Sequence, residues 1–217
     1  MDDREIKNWH YEKRAEALVK NLQKRRFNAC YTATAEAGRD AVLGLIPDGA
    51  CVALTGSQTL EHIGVKPHLR ANKEKYKLLD PYEPGITPAE GMARRKRGLT
   101  ADVMVSSTNA VTEDGVLVNV DGMGNRVAAM MFGPEKVILA VGMNKVVEDV
   151  PAAMERLRRV ARPMNNKRYG LPNPCNETGF CVDCRAATRI CNFFTLIEQS
   201  MNPSRLHIVL IGQDLGY

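Results

Sequence analysis

The apolar positions of this chain change period several times, and each change predicts an element. Across residues 2–25 they recur as Tyr11, Ala15, Leu18, Val19 and Leu22 on an otherwise polar segment. That single stripe at helical spacing predicts an amphipathic helix. Residues 27–32 read as a short strand, and residues 35–45 as a second helix stopped by Pro47-Asp48-Gly49. Residues 50–54, 102–106 and 136–141 are apolar without alternation, as strands buried on both faces of a parallel sheet are. Residues 77–79 form a weaker strand. Residues 109–120 read as two short strands around the turn Glu113-Asp114-Gly115. Further helices are expected from about Leu60, at Thr87-Pro88-Ala89-Glu90 with Thr at N-cap and Pro at N1, over residues 127–131, and from Asp149-Val150-Pro151 to about Ala161.

Strands therefore alternate with helices across residues 27–162. This predicts an α/β fold with a mostly parallel central sheet and helices on both faces. After Arg162-Pro163 the texture changes. Residues 163–192 carry several prolines and a cluster of cysteines, and a long irregular segment in a compact domain is usually functional or disordered. The chain is expected to close with a helix over residues 192–201 and a strand over 206–211. The organisation predicted is an N-terminal helix (1–26), an α/β body (27–162), a cysteine-rich metal-binding loop (163–192), and a closing helix and strand (193–217).

Composition adds little to this outline. The 217 residues suffice for one packed domain with an appendage, and 44% hydrophobic with 25% charged residues is ordinary for a soluble protein. No apolar run is long enough to cross a bilayer. The segment MDDREIKNWH is too polar for a secretory signal, so a cytoplasmic location is expected, with no membrane partner. The net charge of +5 permits an anionic ligand without requiring nucleic acid. The basic run Arg94-Arg95-Lys96-Arg97 has no interleaved aromatic residues and reads as a solvated helix face, not a platform for single strands.

The cysteines change the picture most. Cys30 and Cys51 stand alone and read as small core residues. Cys175, Cys181, Cys184 and Cys191 fall within seventeen residues as C-x5-C-x2-C-x6-C. In a reducing compartment such a cluster points to metal or catalysis before disulfides. Zinc accepts four thiolates, and so do four-iron clusters. Zinc ribbons present two CxxC knuckles, whereas this chain has one. The asymmetry favours an iron–sulfur cluster of the 4Fe-4S type, with zinc as the alternative and a metal-free thiol site as the third reading. Arg185, Arg189 and backbone N–H groups near Gly179 are candidate donors to the sulfurs.

Other chemistry is expected at strand ends, where open α/β sheets bind ligands. Thr55, Gly56, Ser57 and Thr59 lie between a strand and a helix start, a pattern that serves anion binding or plain N-capping. Asn109, Thr112 and Asn125 are neutral polar groups suited to orienting a carboxylate or hydroxyl. Arg126 can pair bidentately with a carboxylate or make a surface ion pair. Asp121 either takes part in catalysis or caps its loop. Glu83 and Glu90 read as a solvated loop residue and a capping residue before they read as general bases. His62 is the one histidine near the anion loop. No Ser/His/Asp triad or dinucleotide glycine fingerprint is present, so neither nicotinamide nor flavin is expected.

The runs Thr55-Gly56-Ser57-Gln58-Thr59-Leu60, residues 107–115 (STNAVTEDG) and Gly124-Asn125-Arg126-Val127 together resemble the LUD domain of bacterial lactate-utilisation proteins. The resemblance spans residues 10–212, and the cysteine loop resembles that of a subset of the family. It implies a fold like that of ribose-5-phosphate isomerase, the CoA transferases and methenyltetrahydrofolate synthetase. Asp114-Gly115 with Asn119 resembles a hairpin of that wider group. It also implies a role as one subunit of a system that oxidises lactate to pyruvate, beside larger iron–sulfur protein subunits. Three functions are expected in order: an iron–sulfur redox subunit acting on lactate or a related 2-hydroxy acid; an isomerase- or transferase-like enzyme for a phosphorylated or CoA-linked metabolite; and a non-catalytic assembly subunit with a structural zinc. A small anionic metabolite is the expected ligand, and a homo-oligomer is left open.

Overall fold

The structure, a computed structural model, describes residues 2–217. Helix α1 (Asp3–Lys24) begins at a reciprocal cap. The Asp2 carboxylate accepts from the Glu5 backbone, and the Glu5 carboxylate accepts from the Asp2 backbone, both at 2.8 Å. Strand β1 (Asn28–Thr32), α2 (Ala35–Gly44), β2 (Cys51–Leu54), α3 (Gln58–His62), α4 (Val65–Ala71), β3 (Lys77–Leu79), α5 (Pro88–Arg97) and β4 (Val103–Ser106) follow. Then come β5 (Ala110–Thr112), β6 (Leu117–Asp121), α6 (Asn125–Met131), β7 (Lys136–Gly142), β8 (Val146–Val147), α7 (Val150–Arg156), α8 (Arg162–Arg168), α9 (Cys175–Thr178), β9 (Phe193–Ile197) and β10 (Leu206–Ile211).

Six strands form one parallel sheet in the order β1-β10-β7-β4-β2-β3. Its central strands read as continuous apolar runs because both faces are covered. Along β7, Val137, Leu139 and Val141 join the core beneath α1 and α6, while Ile138 and Ala140 join the core beneath α2, α3 and α4. Strand β10 alternates the same way, Leu206, Ile208 and Leu210 against Val209 and Ile211. The expected fold class is therefore the one observed. Cys30 departs from expectation: β1 is an edge strand and leaves it exposed, while Cys51 is half-buried.

Two features depart from the sequence reading. Residues 193–197 form a strand, not a helix, and pair antiparallel with β6 in a second sheet of order β8-β5-β6-β9. The run Phe-Phe-Thr-Leu-Ile has the β-branched and aromatic character that a half-covered sheet surface favours. The helix begun at Asp149 also runs past Pro163 to Arg168, through a π-helical segment at Leu157–Ala161. A proline inside a helix removes one hydrogen bond and crowds the preceding turn. The wider π turn before it accommodates both effects. The cysteine loop consequently starts after residue 168, not at 163. Among the described residues, no helix is long and apolar enough to cross a membrane.

Candidate functional site

Strands β2, β4 and β7 are neighbours, so the segments leaving their carboxyl ends converge. Thr55 and Gly56 follow β2, Ser107 follows β4, and Lys145 follows β7. With Asn125 and Arg126 from the start of α6, they line a cavity of about 120 Å³. Gly124, in the left-handed region at φ 85°, turns the chain into α6. A cavity thus lies where the ligand rule for parallel sheets looks for one.

Arg126 anchors the cavity floor. One terminal nitrogen donates to the Ser107 carbonyl at 3.1 Å and to Asn119 Oδ1 at 2.8 Å. The other donates to Asn109 Oδ1 and the Val120 carbonyl, both at 2.8 Å. Its terminal nitrogens are thereby saturated by neutral acceptors, so the expected bidentate clasp on a carboxylate is not available. Burial pushes its pKa down, and Asp121 opposes that shift. Asp121 itself accepts from the backbone N–H of Gly122, Arg126 and Val127 at 2.7, 3.0 and 3.2 Å. It holds the entrance to α6 in the capping role.

Lys145 is 2% exposed, and its Nζ donates to Thr59 Oγ1 at 2.8 Å and to Ser107 Oγ at 3.0 Å. Burial holds its pKa well below the usual lysine value, and the charges of Arg156 and Arg126 act the same way. Arg156 donates to the carbonyls of Asn109 and Asn144 at 2.6 and 3.2 Å, and burial lowers its pKa to about 10. Two guanidiniums, Arg126 in the cavity lining and Arg156 close enough to Lys145 to act on its charge, thus have no carboxylate ion-pair partner among the described residues. Unpaired buried charge is costly, so the charge balance favours an anionic ligand. Tyr82 and Tyr169 close one side, their hydroxyls 3.0 and 3.1 Å from where a Cβ on Gly56 would sit. Burial, and then Tyr169, raise the Tyr82 pKa to about 12.

Thr55, Gly56, Ser57, Asn109, Asp121, Asn125 and Arg126 all line this cavity, as the strand-end reading expected. Thr59 stands just behind it, reaching it through Lys145. Thr112 does not reach it. Its hydroxyl is engaged in the β5–β6 turn, donating to Asp114 and accepting from the Val116 backbone at 2.8 Å. His62 accepts from the Gly216 backbone at 3.3 Å. Glu83 pairs with Lys73 and Arg94, and Glu90 with Arg94, which takes both out of contention as bases. Lys145 escaped the sequence reading; its one signal is a lysine set between Met143-Asn144 and Val146-Val147 after a buried strand.

The four clustered cysteines line a second, smaller cavity. Asp183, at φ 51°, supplies the left-handed turn within Cys181-Val182-Asp183-Cys184. The Asp183 N–H and an Arg162 terminal nitrogen donate to Cys181 Sγ at 3.3 and 3.2 Å. Arg189 lines the same cavity and donates to the carbonyls of Cys184 and Cys191. Burial raises the Cys191 thiol pKa, against the pull of Arg189 and Arg162. Arg162, not Arg185, is the second arginine at the sulfurs. It stacks on Phe194 at 4.4 Å, and its Nε is buried with no partner. Four thiols, two arginines and an orphaned buried donor fit an anionic, sulfur-ligated group. No group of three or more His, Cys, Asp or Glu side chains among the described residues has the spacing to hold a single ion. A buried amide network fastens the loop: Asn173 donates to Asn166 Oδ1 at 2.6 Å, and Thr188 to Asn173 Oδ1 at 2.6 Å.

The two cavities share a wall. Ile190 lines both, and its backbone packs on Gly122, where a Cβ would come within 3.2 Å of the Ile190 carbonyl. The Asn192 backbone and side chain donate to the carbonyls of Asp121 and Gly122 at 2.8 and 3.0 Å.

No curated protein matches the chain. Among solved structures, it resembles a DUF162 family protein from Deinococcus radiodurans at 13% identity, with a TM-score of 0.52 over 93% of this chain and 98% of that one. At that identity the likeness shows the fold alone. The LUD domain family model matches residues 15–211, and by that match over most of its length the chain belongs to the LUD domain family.

Proposed function

We propose that this LUD-domain protein is a cytoplasmic iron–sulfur redox subunit. In this reading it binds a small anionic metabolite, lactate or a related 2-hydroxy acid, and works with iron–sulfur partner subunits. The observation that carries the reading is the shared wall at Ile190 between a cationic cavity and a cavity lined by four cysteines. Cys175, Cys181, Cys184 and Cys191 would hold the cluster, and Arg162 and Arg189 would offset its negative charge. Bound there, a cluster supplies one-electron transfer. The cavity residues have separate work. Arg126 and Arg156 supply positive potential, and the Asn125 side chain offers donor and acceptor to a carboxylate or hydroxyl. Tyr82 and Tyr169 limit water on one side.

Purification without oxygen tests the reading. Brown protein is expected, with iron and acid-labile sulfide bound and an EPR signal on reduction. Colourless protein carrying stoichiometric zinc would sink it and leave the structural-metal alternative.

A further inference from the structure

We infer that Lys145 is a nucleophilic amine that forms a reversible imine with the carbonyl carbon of a small 2-oxo acid bound in the strand-end cavity. The inference rests on reading that cavity as a site for a small carboxylate, and it names the chemistry that reading leaves open.

The argument starts from hydrogen-bond directions. The Thr59 hydroxyl lies 3.2 Å from the Leu215 carbonyl, and the Ser107 hydroxyl 3.2 Å from the Thr108 carbonyl. Both hydroxyl protons have acceptors there, so both oxygens accept from Lys145 Nζ. A neutral amine has two N–H donors and one lone pair. Thr59 and Ser107 take the two donors, which leaves the lone pair free on a side chain that lines the cavity. An ammonium would bring a third N–H, for which no further acceptor stands at hydrogen-bond distance among the described residues.

The charged surroundings agree. The groups acting on Nζ are the Arg156 and Arg126 guanidiniums, and no carboxylate pairs with it. A buried lysine beside other cations is the usual setting of an imine-forming amine. In the reaction the Nζ–carbon bond forms. The two amine hydrogens leave with the carbonyl oxygen as water, and a neutral imine remains. A proton taken from solvent converts it to the iminium. The ligand's own carboxylate supplies the negative charge that makes an iminium tolerable beside two guanidiniums. That carboxylate has donors to meet. Asn125 lines the cavity, and so does Tyr217, whose buried hydroxyl lies in the field of Arg168 and makes no hydrogen bond of good geometry among the described residues.

The experiment uses the intact protein with pyruvate and sodium cyanoborohydride, which reduces an iminium to a stable secondary amine. Peptide mapping then locates the adduct, and thermal shift with pyruvate, lactate and phosphate reads binding separately. An adduct at Lys145 is expected at about tenfold or more the occupancy of any surface lysine, since each unit of depressed pKa raises the neutral fraction about tenfold. It should persist to lower pH than surface labelling and vanish in urea. K145R and K145M should lose it, with a lowered melting temperature because Thr59 and Ser107 lose their buried donor; should either fail to fold, the wild-type map alone decides. Stabilisation by pyruvate with no selective adduct overturns the imine and leaves the anion site standing. No stabilisation by any of the three anions, and no adduct, overturns both.

Discussion

Arg126 shows how one side chain can shape a cavity while spending its terminal nitrogens on the protein. It fastens α6 to β6 and to the segment after β4 through four donations to neutral acceptors. Truncating it leaves those acceptors buried and unpaired, at about 1–3 kcal/mol for each that water cannot reach. R126A should therefore destabilise the fold by about 3 kcal/mol or more in urea denaturation. R126K offers fewer donors in the wrong geometry and should recover only part of that loss. Glu83 makes the opposite case at the surface. Hydrogen bonds from Arg94 and then Lys73 hold its pKa down to about 2, against about 4.3 in an unfolded chain. A depressed carboxylate stabilises the fold fully above its unfolded pKa and loses that contribution as pH falls through the folded one. The wild-type melting temperature should fall between about pH 4.3 and pH 2, and E83Q should flatten that part of the profile.

At the scale of elements, close approach governs the cavity. Gly56 leaves β2 beneath two tyrosine hydroxyls, which a methyl group would crowd at 3.0 and 3.1 Å. G56A should displace Tyr82 and Tyr169 into the cavity and weaken anion binding about tenfold or more, with little change in urea midpoint; one such displaced contact, about 1.4 kcal/mol, is enough. Parallel titrations of G56A and the wild type read this directly. The same scale explains what the sequence disclosed. Runs such as Val137–Val141 are apolar at every position because the sheet is covered twice, and that is visible without coordinates. The cap at Thr87 and the helix start at Asp149 were equally plain. Strand β9 was not, because its partner β6 lies more than seventy residues earlier. Pro163 misled for a local reason: the rule that proline ends a helix takes no account of a π turn that makes room for it. Lys145 was hidden because its burial is decided jointly by Thr59 and Ser107, far from it in the chain.

For the whole molecule, the cores and the cysteine loop are separately supported. The two large clusters flank the six-stranded sheet and draw nothing from residues 169–192. The loop has its own fastening in Asn166, Asn173 and Thr188, and the Cys181 backbone donates to the Arg158 carbonyl at 3.0 Å. Small zinc modules unfold without metal because they lack such a body. Chelation of the metal proposed for this loop should leave the circular dichroism of the sheet and helices intact. Protease sensitivity should appear within residues 170–192. The melting temperature should fall as the stabilisation by a ligand of the native state is lost. Loss of all secondary structure on chelation would contradict this division.

The single helix that carries Arg162 has a consequence for descent. An arginine buried with one nitrogen unpartnered, stacked on Phe194 and aimed at a sulfur, is a liability in any relative whose loop lacks the cysteines. The five positions are then expected to be inherited as a set. Aligned LUD sequences that keep Cys175, Cys181, Cys184 and Cys191 should keep arginine at 162, and lineages that lost the cysteines should have replaced it with an apolar or smaller residue.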